Sequence, residues 1–185
     1  MHLADPLVAL TEMLRVVKPG GLLLLAEPNN VAQQFAADSV NRELSPNELG
    51  RVMSLFTACS RGRAALGRGD DCIGDRLPIL LTQLHLEPLS VSQNEKTGVI
   101  LPPYDAADLS ALEQAISHSE RGFWLWNRSD AKLLYLAGGG TQDGFEHDYQ
   151  AFEKRTMLLK QQVNEQRYWC NNGSLHYLVA ARRPH

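Results

Sequence analysis

A chain of 185 residues with 44% hydrophobic content is long enough for one packed domain, or one domain with a sizeable appendage. Its formal net charge of -3 argues against a dedicated nucleic-acid binder, and no apolar run approaches the roughly 18 residues of a membrane span. Three scattered cysteines, Cys59, Cys72 and Cys170, form neither a disulfide framework nor a zinc spacing, and they point to a reducing, cytoplasmic setting.

Asp5-Pro6 opens the first predicted helix. The Asp5 carboxylate caps free backbone N–H groups, and Pro6 suits the first helical position, where no donor is needed. Leu7, Leu10, Leu14 and Val17 then recur at helical spacing. Lys18 sits at the negative end of the helix dipole, and Pro19-Gly20-Gly21 stops the helix. Leu22 to Ala26 is a continuous apolar run, as expected of a strand covered on both faces in a parallel sheet. Ser45-Pro46-Asn47-Glu48 is a capping box, and it starts a helix with Leu49, Val52, Met53 and Phe56 on one side. Arg61, Arg63 and Arg68, followed at once by Asp70 and Asp71, read as a solvated loop. A further helix is expected around Leu77 to Leu86, and Leu89 to Gln93 alternates as a second strand.

Pro102-Pro103-Tyr104 marks a change of character. From Asp105 to Arg167 the chain is mostly helical and polar, broken at Gly138-Gly139-Gly140. Asp105 or Asp108 caps a helix containing Leu109, Leu112 and Ile116; Ser129-Asp130 begins another, and Phe145 to Gln166 reads as a longer amphipathic one. Asn171-Asn172-Gly173 is a turn signal, and Leu175 to Ala180 is a third strand. The order predicts an α/β fold: a three-strand core at 1–104 and 174–185, with a helical insertion at 105–173.

The stretches MHLADP, RVVKPGG, LLLLAEPNN, RLPILLTQLHLEPLSV and LHYLVAARRP together resemble class I S-adenosylmethionine-dependent methyltransferases, with Val17 standing where leucine is usual. LLYLAGGGTQDGF looks like an accessory region of some bacterial members. The resemblance implies the C-terminal half of a Rossmann-like sheet, whose last strand runs antiparallel between the other two. It implies a fragment or truncated form of an enzyme that transfers a methyl group to a small-molecule acceptor. The family's cofactor half, with a glycine-rich turn after its first strand and an acidic residue ending its second, has no counterpart in this sequence. Gly138-Gly139-Gly140-Thr141-Gln142-Asp143 fails the G-x-G-x-x-G spacing, because position 143 is Asp. The complete enzyme is thus expected to use S-adenosylmethionine, and this chain alone to bind it weakly or not at all.

The resemblance also nominates residues. His2 falls where the reaction site begins and is a candidate base or substrate contact. Glu27 lies where the buried strand emerges, in the crevice that binds ligands in open α/β sheets, and is the other catalytic candidate. Asn29, Trp124 and Trp126 are candidate substrate contacts; the two tryptophans read either as a lid or as an anchor for the insertion. No Asp/Glu/His cluster has the spacing of a metal site. The competing expectation is a non-catalytic α/β module: without a neighbouring strand, Leu22–Ala26 is an exposed apolar edge, which predicts a homodimer through that edge.

Overall fold

The computed structural model describes residues 2–35, 38–86, 88–94, 98–173 and 175–185. Met1, which opens the MHLADP motif, and Ser174, the expected start of the returning core segment, lie outside the described residues. The chain forms a mixed α/β structure. In order these elements are α1 (Pro6–Val16), β1 (Leu22–Pro28), a 3-10 turn (Ala32–Phe35), α2 (Ser39–Glu43), α3 (Pro46–Ala65), α4 (Ile73–Gln83), β2 (Pro88–Gln93) and β3 (Gly98–Ile100). They continue with α5 (Ala106–Arg121), α6 (Arg128–Ala137), α7 (Gln142–Asn164), β4 (Cys170–Asn172) and β5 (His176–Arg182).

Local chemistry sets the helix starts. Asp5 accepts from the Leu7 N–H at 2.9 Å, and Asp105 accepts from Ala107 and Asp108. At α3 the Ser45 hydroxyl caps the Glu48 N–H while the Glu48 carboxylate reaches back to the Ser45 N–H at 2.9 Å. The far end of α1 is closed by tertiary structure: the Arg183 guanidinium, just beyond β5, donates to the terminal carbonyls of Leu14 and Val17.

β5 lies between β1 and β2 and runs antiparallel to both, in the order β1-β5-β2. Leu22 faces Arg182 and Pro28 faces His176, so residues of equal parity on β1 and β5 share a face. Leu23, Val179 and Ala181 on one face pack into a core with Leu10 of α1 and with Ile73, Leu77, Leu80 and Leu81 of α4. Each such fully buried leucine contributes roughly 1.5–3 kcal/mol. The opposite face is bare, with Leu22, Leu24 and Leu178 left 51%, 72% and 48% exposed. The expectation that β1 is covered on both faces is therefore corrected: α1 and α4 pack on the same side, and the strand alternates between buried and exposed.

Two elements differ from the sequence reading. A second, two-stranded sheet joins β3 to β4, so Asn171 and Asn172 are paired with Val99 and Gly98 rather than forming a turn. Arg61 and Arg63 belong to the last turns of α3, not to a loop.

The helical region has its own aromatic core. Phe123, Phe145, Tyr149 and Phe152 pack with Leu55 and Cys59 of α3 and with Leu134 and Tyr135 of α6. α3 and α6 approach so closely that a Cβ on Gly62 would lie 1.7 Å from the Leu134 carbonyl oxygen, and one on Gly138 1.9 Å from that of Ala58. Glycine permits this contact because it has no side chain. Gly62→Ala should force the helices apart and cost roughly 3 kcal/mol in chemical denaturation, with the unfolding midpoint lowered accordingly.

Glu48 yields a pH prediction. The Lys154 ammonium, and then Ser45, hold its carboxyl down from 4.5 to about 2. Its contribution to stability is complete above 4.5 and is lost as the pH falls toward 2. Thermal unfolding followed over that interval should show wild type losing its advantage over Glu48→Ala as the solution is acidified.

Candidate functional site

The C-terminal end of β1 is where the sheet meets the first turn of α4. Gly74 makes that junction: a Cβ there would sit 2.4 Å from the Glu27 carbonyl oxygen. Cys72, at the cap position of α4, makes no side-chain capping bond, and carboxylates gather around this positive helix end. Asp70 accepts from the Cys72 N–H at 2.8 Å and pairs with Arg76 at 2.5 Å. Asp75 receives the Asn29 Nδ2 at 2.8 Å. Asp71 is fully buried and paired through Oδ1 with Arg63, whose side chain is 12% exposed. Asp71 Oδ2 has no hydrogen-bond partner among the described residues.

This network corrects the reading of Arg63 and Asp71 as solvated. They lie eight positions apart, brought together as the chain leaves α3 and turns into α4. Burial pushes the Asp71 carboxyl above the usual carboxylate range, with the Arg63 charge working in the opposite direction. Burial also raises Asp75, and nearby Asp70 adds to the effect.

His2 joins the network from the N-terminal side, with its Nδ1 2.9 Å from a guanidinium nitrogen of Arg63. A guanidinium only donates, so Nδ1 accepts and the neutral ring carries its proton on Nε2. Asn29 is buried, and its side chain is engaged within the protein: Nδ2 on Asp75, Oδ1 on the Ala32 N–H at 2.8 Å. Glu27 stands opposite Tyr177, half-buried, on the helix-covered face.

His2, Glu27 and Asn29 thus gather around the end of β1, while Trp124 and Trp126 do not. The tryptophans stack edge to face at 5.4 Å beside Phe123, in the aromatic core of the helical region. Phe123 and Trp126 exchange backbone hydrogen bonds of 2.8 and 3.0 Å across a tight turn. The pair sits as an anchor of the α5–α6 connection. Sequence reading missed Arg63, Asp71 and Asp75 as partners; the acidic doublet just ahead of an apolar helix was the available signal.

Burial pushes the Cys59 thiol up to about 12, and burial likewise raises Cys72. Among the described residues no group of three or more His, Cys, Asp or Glu side chains is placed to hold a metal ion, and no helix is long and apolar enough to cross a membrane.

The residues present do not fit S-adenosylmethionine. Its binding in the resembled family needs a glycine-rich turn between a strand and a helix, whereas Gly138-Gly139-Gly140 joins two helices. That run lines a surface groove of about 500 Å³ with Met53, Ser54 and Arg61, away from the strands. Asp71, Asp70 and Asp75, beside the end of β1, are already engaged by Arg63, Arg76 and Asn29.

The chain matches no protein-family model and no curated protein.

The network makes one energetic claim that can be measured. Arg63→Ala leaves a buried Asp71 with neither oxygen paired, which should cost about 3–5 kcal/mol at neutral pH. The loss should shrink on acidification, because a protonated Asp71 no longer needs the guanidinium. Urea unfolding of both proteins across the carboxylate range checks the magnitude and the sign.

Proposed function

We propose that this chain forms the C-terminal half of a class I S-adenosylmethionine-dependent methyltransferase sheet and takes part in methyl transfer to a small-molecule acceptor. The observation that carries the reading is strand order. β1 and β2 run parallel to each other, and the last strand, β5, runs antiparallel between them, the place that the resemblance of LHYLVAARRP implies for it. Ligands in open α/β sheets bind beyond the carboxyl ends of the parallel strands, and β1 ends among Glu27, the Asn29–Asp75 pair and the His2–Arg63–Asp71 chain. On this reading His2 contributes its Nε2–H to orienting the acceptor. Arg63 and Asp71 hold the ring, and the cofactor is bound by a glycine-rich half supplied from outside these residues.

The exposed sheet face, and a β1 edge that no described strand pairs, favour a second reading, a non-catalytic α/β module that works by association. The coding sequence upstream of Met1, read in frame, separates the two. The methyltransferase reading expects it to encode a strand followed by a glycine-rich turn. The longer product should then bind S-adenosylhomocysteine with micromolar affinity in calorimetric titration, and this chain alone weakly or not at all. An immediate in-frame stop overturns only the version in which one longer chain carries both halves; a longer product that does not bind overturns the reading in favour of the module.

A further inference from the structure

α5 and α7 meet through Leu112 and Ile116 of the first and Leu159 and Val163 of the second. Further along the pair the facing positions stop being apolar. Tyr149, Glu153, Thr156 and Lys160 follow one another along a single face of α7, and with Ser119 and Glu120 of α5 they line a cavity of about 360 Å³. That volume falls within the range of small-molecule sites, roughly 300–1,000 Å³.

Tyr149 is the group in this cavity that the fold leaves unanswered. The residue is 4% exposed. Its ring is fixed by Phe145 and Phe152, with centroids 5.2 and 5.9 Å away, and by the Arg128 guanidinium stacked 4.3 Å above it. Its hydroxyl makes no hydrogen bond to a described residue. Among the described residues the one sealed side-chain polar atom without a partner is Asp71 Oδ2, so the Tyr149 hydroxyl reaches open space, and the cavity it lines is that space. Burial raises the phenol above its usual range, with Arg128 opposing, so at neutral pH it keeps its proton and donates.

The charges around it are already matched. Glu120 pairs with Lys160 at 2.6 Å, and Glu153 pairs with Arg128 at 3.1 Å. A charged ligand would meet a like charge for every opposite one, and so gains no net attraction. The Thr156 hydroxyl spends its proton on the Phe152 carbonyl at 3.1 Å. Met157 and the stems of Glu153 and Lys160 add apolar surface.

We propose that this cavity binds a small uncharged molecule with an apolar body and a carbonyl or ether oxygen that accepts from the Tyr149 hydroxyl. The site is built entirely by α5 and α7, and the inference does not rest on the methyltransferase reading.

Amide NMR titration of the protein with four probes that share a phenyl ring tests it: acetophenone, toluene, benzoate and benzylammonium. Acetophenone should bind in the millimolar range and shift the Ser119, Tyr149 and Thr156 resonances, while the two charged probes leave them in place. Tyr149→Phe should weaken acetophenone roughly 2–10-fold, to the level of toluene. The same variant should keep the wild-type urea midpoint, because the hydroxyl gives up no bond within the protein. Ser119→Phe should fill the cavity and abolish binding of both uncharged probes. The proposal is overturned if acetophenone shifts no cavity resonance, or if benzoate or benzylammonium binds as well. It is equally overturned if Tyr149→Phe binds acetophenone like wild type, if that variant loses stability, or if Ser119→Phe still binds.

Discussion

The three-stranded sheet exists because its last strand arrives in the middle. β1 and β2 do not touch; each is bonded only to β5, one through the odd-numbered residues of that strand and the other through its even-numbered ones. Residues near 180 thus hold together segments near 25 and 90, and Arg183 goes on to close the end of α1. Closing such long loops costs entropy that is recovered only when the ladders are complete. The helical region is built differently. α6 and α7 follow one another along the chain and share aromatic rings, but both also pack against α3, while α5 joins a separate cluster through Leu112 and Ile116.

The placement of α4 explains why charge accumulates at one point. Gly74 lets the first turn of the helix ride directly on the end of β1, and the positive helix end then favours carboxylates. Three of them, Asp70, Asp71 and Asp75, lie within six residues. Arg76, Arg63 and Asn29 each answer one, so the cluster works first as a brace between sheet, α3 and α4. What remains for a ligand is the rim of that brace, where His2 holds a donor in place through Arg63.

Some helix starts were legible because capping acts between neighbours: Asp5 and Ser45 with Glu48 cap as their spacing predicts, and of Asp105 and Asp108 it is Asp105 that caps, while α6 and α7 start earlier than read, at caps Asn127 and Thr141. The strand order came from the resemblance, since periodicity carries no information about which strands lie side by side. An unbroken LLLLA run cannot say whether one face or two are covered, and here it is one. β4 was hidden because its asparagines are turn formers held in a ladder only by β3, itself three residues long. Arg63 and Asp71 looked solvated because ion pairing across the turn between α3 and α4 leaves no periodic trace. The site was legible to the extent that it sits on β1; the partners that orient His2 and Asn29 come from elsewhere in the chain.

The apolar monotony of β1 raises a question of register, since a one-residue slip would exchange one set of leucines for another at small cost in burial. The structure settles the pairing with β5 at the strand ends instead. The Gly20 N–H bonds to the Arg183 carbonyl, the Arg183 N–H to Gly21 and the Asn29 N–H to Leu175. The Arg183 side chain ties the same point to α1, so a slip would break the backbone anchors and the helix cap together.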